Sequence, residues 1–320
     1  MLEQSSDPRT DQATAQVLEP ADEATVPDGT GPAERDAGYQ RRKLGVGFWI
    51  AVGWLAVLLA AAILGDLILP YGPEQTFRAA GRLAAPSADH WFGTDSNSRD
   101  VFTRCVFATR ISLLVGVSAT LVGLVVGGAL GMIAGFYRGT IESAVTGALD
   151  VLLAIPFLVL ALALLTFLTD EQNQPRFGNI SIIVIIALSI AVVPSIARIT
   201  RANVLVHSQR EFVLASRTLG TRNLRIMVRE ILPNVVPAMM SFALLYIAIL
   251  IVVEGTLSFL GVGELSKPTW GNMISFGRDK IDDAPWNVLF PSLFMFLTIL
   301  ALNYIGDRVR NYFDVREAGI

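Results

Sequence analysis

The sequence predicts an all-α integral membrane protein with six transmembrane helices and both termini in the cytoplasm. Three observations carry that prediction. Of 320 residues, 52% are hydrophobic and only 17% charged, and the mean hydropathy is +0.53, too apolar for a soluble domain of this length. Six stretches meet the span requirement of about 20 residues with little charge: 44–65, 111–137, 143–169, 180–197, 231–253 and 284–306. With the N-terminus inside, 16 Lys/Arg fall in cytoplasmic segments and nine outside, the asymmetry that orients a polytopic chain.

Taken in order, residues 1–43 form an acidic leader, with nine Asp/Glu against two Arg in the first 40 positions. So little apolar surface cannot offset the ordering entropy, so the leader is expected to be disordered. Residues 44–110 hold the first span and a long outer loop. Residues 111–310 hold five further spans and a basic cytoplasmic loop, 199–233, and 311–320 form a tail. Cys105 is the only cysteine, which excludes an intramolecular disulfide and a cysteine metal cluster. Asp89, His90, Asp95 and Asp100 in the outer loop are interleaved with Arg99 and Arg104, so they read as a salt-bridged loop rather than a metal site.

Within the spans, Gly123, Gly127, Gly131 and Gly135 recur every four residues. They strip one helix face of bulk so that a second helix can approach backbone to backbone. That face is expected to pack a mobile helix interface, with static packing inside the subunit as the plainer reading. Pro156 and Pro194 are expected to kink the third and fourth spans. Asp150 and Glu254 are the acids nearest the membrane interior. A charge there must face a path, pair, or reach the interface.

The stretch 211–239, EFVLASRTLGTRNLRIMVREILPNVVPAM, reads as a helical hairpin. Phe212, Ala215 and Leu219 share one face, and Gly220 supplies a C-terminal stop. Thr221 or Asn223 is expected to cap a second helix carrying Leu224, Met227, Val228 and Ile231, which Leu232-Pro233 then breaks. Arg217, Arg222, Arg225 and Arg229 make the other face basic. Such a lever suits either a groove on a soluble partner or anionic headgroups, and the residues alone leave both open. No phosphate-binding loop, metalloprotease motif or nucleophile elbow is present, so any nucleotide would be hydrolysed by another chain.

The hairpin resembles the cytoplasmic coupling loop of ABC-importer permeases, whose pattern is Glu-Ala-Ala, three residues, Gly, nine residues, Ile, one residue, Leu-Pro. Leu214-Ala215-Ser216, Gly220 and Leu232-Pro233 occupy those positions, with Leu214 for Glu, Ser216 for Ala and Glu230 for Ile. The segments HWFGTDSNSRDVFTRCVFATRISLLVG (90–116), EGTLSFLGVG (254–263), PTWGNMI (268–274) and GDRVRNYFD (306–314) resemble the C-type permeases of dipeptide, oligopeptide and nickel importers.

That resemblance implies a type I importer fold in a bacterial inner membrane. It implies a second homologous permease subunit, two P-loop ATPase subunits that bind ATP and Mg2+, and an extracytoplasmic substrate-binding protein. The chain itself would bind no cofactor, no metal and no nucleic acid, and would catalyse nothing. Phe212, Leu214, Ala215, Ser216, Arg217, Gly220, Leu232 and Pro233 would couple ATP hydrolysis to alternating access. The substrate implied is a dipeptide or oligopeptide, with nickel complexes, glutathione or another small solute as alternatives. Composition alone would also accommodate an ion-coupled secondary transporter using Asp150 and Glu254, or a non-transporting scaffold that recruits a partner through the hairpin.

Overall fold

The computed structural model describes residues 45–169, 176–177, 180–263 and 267–317. The acidic leader lies outside the described residues. The elements are α1 (Val46–Ile68), α2 (Val101–Phe136), α3 (Thr140–Leu153), α4 (Phe157–Leu168), β1 (Arg176–Phe177), β2 (Ile180–Ser181) and α5 (Ile182–His207). They continue as α6 (Glu211–Thr218), α7 (Asn223–Ile226), a π-helical turn (Met227–Ile231), α8 (Leu232–Phe259), α9 (Trp270–Gly277) and α10 (Trp286–Glu317). Among the described residues the only sheet is the antiparallel pair β1–β2, in which Arg176 faces Ser181.

α2 begins ten residues before its low-charge stretch. Asp100 caps it, its Oδ2 accepting the Thr103 N–H at 2.8 Å. Arg104 is buried in the extension and donates to Glu74 Oε1 at 3.0 Å, while Arg99 pairs with Glu74 and Asp95. His90 Nδ1 lies 3.0 Å from Asp100 Oδ1. The outer loop is thus the salt-bridged unit its sequence suggests, and it clamps the outer end of α2. The helix is 36 residues long, about 54 Å at helical rise, longer than any bilayer core.

The glycine ladder faces α5 of the same chain. A β-carbon built on Gly123 would lie 2.5 Å from Val192 Cγ1, one on Gly127 2.7 Å from the Val193 carbonyl oxygen, and one on Gly135 2.8 Å from Val204 Cβ. At Gly131 it would run into the Ala197 carbonyl oxygen. The helix that this face packs is therefore α5 of the same subunit, and the four glycines make the close approach that their spacing implies.

The same register fixes the topology. Successive glycines of α2 meet successively later residues of α5, so the two helices run parallel. The chain must cross the membrane once between them. Among the described residues the helices available are α3 and α4, which meet at an angle of 87°. Five continuous helices and this broken pair make six crossings. The expected single third helix is corrected here. Pro156 does not kink a continuous helix but stands at the N-cap of α4, with extended ψ of 132°. α3 ends at Leu153 because proline disfavours helical geometry at the preceding residue. Pro194, by contrast, stays inside a continuous α5.

Two apolar clusters hold the bundle together. One joins α2, α4, α5 and α8 to the hairpin through residues such as Val115, Leu188, Ile226 and Ile231. The other joins α1, the start of α2, α9 and α10 through Leu58, Val101, Trp270 and Leu302. Trp270 Nε1 donates to the Cys105 carbonyl at 3.0 Å. A β-carbon on Gly271 would collide with the Gly255 backbone, so α9 lies directly on α8.

Candidate functional site

The hairpin between α5 and α8 is formed by α6 and α7. α6 holds only two turns of helix, and its termination is decided by Gly220, at φ +73°. The Gly220 N–H donates to the Arg217 carbonyl at 3.0 Å and the Thr221 N–H to the Ser216 carbonyl at 3.1 Å. These two bonds are a Schellman stop, which requires a left-handed residue at that position. The reversal sets α6 beside α7, with Val213, Ile226, Met227 and Ile231 buried as anchors.

Two expectations for the second limb are corrected. Neither Thr221 nor Asn223 caps α7: Arg222 is the N-cap residue and makes no side-chain cap bond. Packing of Ile226, Met227 and Ile231 replaces that cap, as tertiary burial commonly outweighs local signals. Nor does Leu232-Pro233 break the helix. A continuous helix runs over Asn223–Phe259. The missing proline N–H is absorbed by the π turn, in which the Leu232 N–H reaches back five residues to the Met227 carbonyl.

What the hairpin presents outward is apolar and cationic together. Leu219 is 84% exposed and Leu224 69%, and Phe212, Leu214 and Val228 are also exposed. Arg222, Arg225 and Arg229 have no carboxylate partner among the described residues, and Arg217 stacks on the Phe136 ring with its guanidinium carbon 4.9 Å from the centroid. Of the predicted coupling residues, Phe212, Leu214, Ala215, Arg217 and Gly220 come together on the exposed α6 limb, with Ser216 partly buried. Leu232 and Pro233 sit apart from them, at the foot of α8.

Residues 127–318 match the family described as the binding-protein-dependent transport system inner membrane component. The chain belongs to this family. A glutathione transport system permease protein GsiD of Pectobacterium atrosepticum is 35% identical over 278 residues, 86% of this chain and 89% of that one. A dipeptide transport system permease protein DppC of Alkalihalophilus pseudofirmus is 39% identical over 254 residues, 79% of this chain and 80% of that one. The fold is shared with a chain of the MetNI methionine ABC transporter in an inward-facing conformation, at a TM-score of 0.52 and 18% identity, over 66% of this chain and 96% of that one. The protein is a multi-pass permease subunit of the inner membrane.

Asp150 and Glu254 have different surroundings. Asp150 is 60% exposed on α3 and pairs with Arg198 of α5 at 2.7 Å. A second α3–α5 pair joins Glu142 to Arg201. Glu254 is 1% exposed. It accepts from Ser258 Oγ at 2.9 Å and Ser112 Oγ at 3.4 Å, and the same Ser112 oxygen accepts the Trp270 N–H at 3.4 Å. Glu254 thereby ties α2, α8 and α9 at one point. Ser258 was readable as an i, i+4 partner; Ser112, 142 residues distant, carried no local signal.

Glu254→Ala is expected to leave those buried hydroxyls without their acceptor and to open a hole, costing about 2 kcal/mol. Glu254→Gln, which keeps the shape and one acceptor oxygen, should cost less than half as much. Thermal unfolding midpoints of the two purified variants check this, and equal midpoints would remove the tie.

Proposed function

We propose that the chain is one of two permease halves of an ATP-driven importer of short peptides. The single observation that carries this reading is the α6–α7 hairpin, rigidly reversed at Gly220 yet presenting apolar side chains and unpaired arginines outward. A soluble partner with an apolar groove rimmed by carboxylates would satisfy both. Two P-loop ATPase subunits, holding ATP and Mg2+, are the partners proposed for this face. A homologous permease completes the path, and an extracytoplasmic binding protein delivers the substrate.

In this reading Phe212, Leu214, Ala215 and Ser216 seat the hairpin in the ATPase groove, and Gly220 fixes its angle. The continuous helix from Asn223 to Phe259 then carries any displacement of the hairpin the full depth of the bundle. Alternating access follows when nucleotide and substrate favour different states of that assembly. The named functions of the glutathione and dipeptide relatives support a substrate of two or three residues.

Purification of the tagged chain from its own host in mild detergent is expected to recover a second homologous permease and a P-loop ATPase. Recovery of the chain alone, beside an importer of known composition that stays intact, would overturn the assembly. Competition of labelled dipeptide uptake by unlabelled glutathione then tests the substrate class.

A further inference from the structure

Much of the span surface that the bundle leaves uncovered is apolar. α1 turns Ile50, Val57 and Ile63 outward, and α10 turns out Phe296 and Leu300, a surface suited to acyl chains. The α3–α5 side is different. Asp150 and Arg198 stay 60% and 62% exposed although they pair at 2.7 Å. One turn nearer the outer surface on α5, Ser195 is half-buried. Its hydroxyl meets that of Tyr246, near the middle of α8. Glu142 and Arg201, the next pair toward the hairpin, are less exposed.

Helix length fixes the depth of these groups. α5 has 26 residues, about 39 Å, so a hydrocarbon core of about 30 Å leaves about 9 Å of overhang between its two ends. Ser195 lies 12 residues before His207 and Arg198 nine, about 18 Å and 14 Å along the axis. Even with all of the overhang at the cytoplasmic end, Ser195 starts about 9 Å and Arg198 about 5 Å inside the hydrocarbon. Asp150 holds the Arg198 guanidinium away from the headgroups, and an aspartate side chain is itself too short to reach them. Charges exposed at membrane depth face a water-filled interior rather than lipid. In a permease that interior is the translocation path. Resting on the importer reading above, we propose that Asp150 and Arg198 form a transit site for zwitterionic short peptides. Asp150 receives the amino-terminal ammonium and Arg198 the carboxy-terminal carboxylate. The exchange conserves charge pairing, since one internal ion pair opens as two substrate pairs form. The Ser195 and Tyr246 hydroxyls continue the same wall outward with neutral groups able to hydrogen-bond a peptide bond.

The test uses the assembled importer in proteoliposomes. A water-soluble methanethiosulfonate reagent attacks the thiolate, a form that needs water around it. It is expected to modify this chain at Ser195→Cys and to spare Val57→Cys, at the middle of the exposed face of α1. The wild-type chain, whose Cys105 is buried, sets the background. An unmodified Ser195→Cys would overturn the path assignment. ATP-driven uptake of a dipeptide and of its N-acetyl derivative, each delivered by saturating binding protein, then reads the contact. Asp150→Asn is expected to slow the free dipeptide about 5-fold. The N-acetyl derivative brings no ammonium and should be unaffected. Equal slowing of both would make the pair a tie between α3 and α5 and overturn the transit site. Absence of dipeptide uptake by the wild-type importer, with Ser195→Cys still modified, would instead overturn the proposed function and with it the peptide assignment.

Discussion

Gly127→Leu is expected to prevent the chain from holding its fold. The obstacle is backbone on the α5 side: a β-carbon there already lies 2.7 Å from the Val193 carbonyl oxygen and 3.2 Å from the Ala197 nitrogen. Neither atom moves without moving a buried helix, and three further carbons must then be fitted into the same seam. Overpacking of a core costs about 1–3 kcal/mol, and an obstacle of main-chain atoms places this substitution at about 3 kcal/mol. The expected readout is a fall in the thermal midpoint and loss of a monodisperse peak in detergent. Gly147→Leu serves as the control, because nothing lies within 4 Å of a β-carbon there. A Gly127→Leu chain with a wild-type midpoint would contradict the packing of α2 on α5.

Gly220→Pro is expected to leave insertion and midpoint nearly unchanged while uptake falls about a hundredfold. Proline holds φ near −65° and has no N–H, whereas this position needs φ +73° and a donor to Arg217. The misfit is about 3 kcal/mol, which corresponds to about two decades in a coupled equilibrium. It falls on an exposed two-turn helix rather than on the core, so the loss is felt by partner engagement. Gly220→Asn, which tolerates the left-handed region, should retain most of the uptake. Normal transport by the proline variant would remove the coupling role of this hairpin.

Local signals were legible and long-range partners were not. The low charge of 180–197 and 231–253 located α5 and α8, because desolvating a charge in hydrocarbon is costly enough to dominate any window. The same criterion hid the first ten residues of α2, since it counts Arg104 and Arg110 as solvated. Arg104 is in fact matched by Glu74, thirty residues earlier. Pro156 was visible, but whether a proline bends a helix or ends it depends on what surrounds it. Pro194 is enclosed by the α2 and α8 contacts of a buried α5, whereas Pro156 is exposed and has little around it to preserve a continuous axis. The four-residue glycine period announced a close helix contact. Only the three-dimensional register supplied the partner, α5 of the same chain, and with it the parallel direction that settles the number of crossings.

The reversal between α6 and α7 was legible from Gly220. Its second limb was not, because a π turn leaves no residue signature and the burial of Ile231 outweighs the proline that follows.

The broken third crossing has a consequence for how the bundle is held together. α3 has 14 residues and α4 has 12, and neither alone reaches the roughly 20 needed to cross the hydrocarbon. A break in a helix exposes backbone polar groups that lipid cannot satisfy, so the pair must be covered by a neighbour. α5 meets that need: its arginines grip α3 through Asp150 and Glu142, while its apolar face packs on α4. The third crossing is thus supported by the fourth, and a substitution that loosens α5 is felt at the α3–α4 bend.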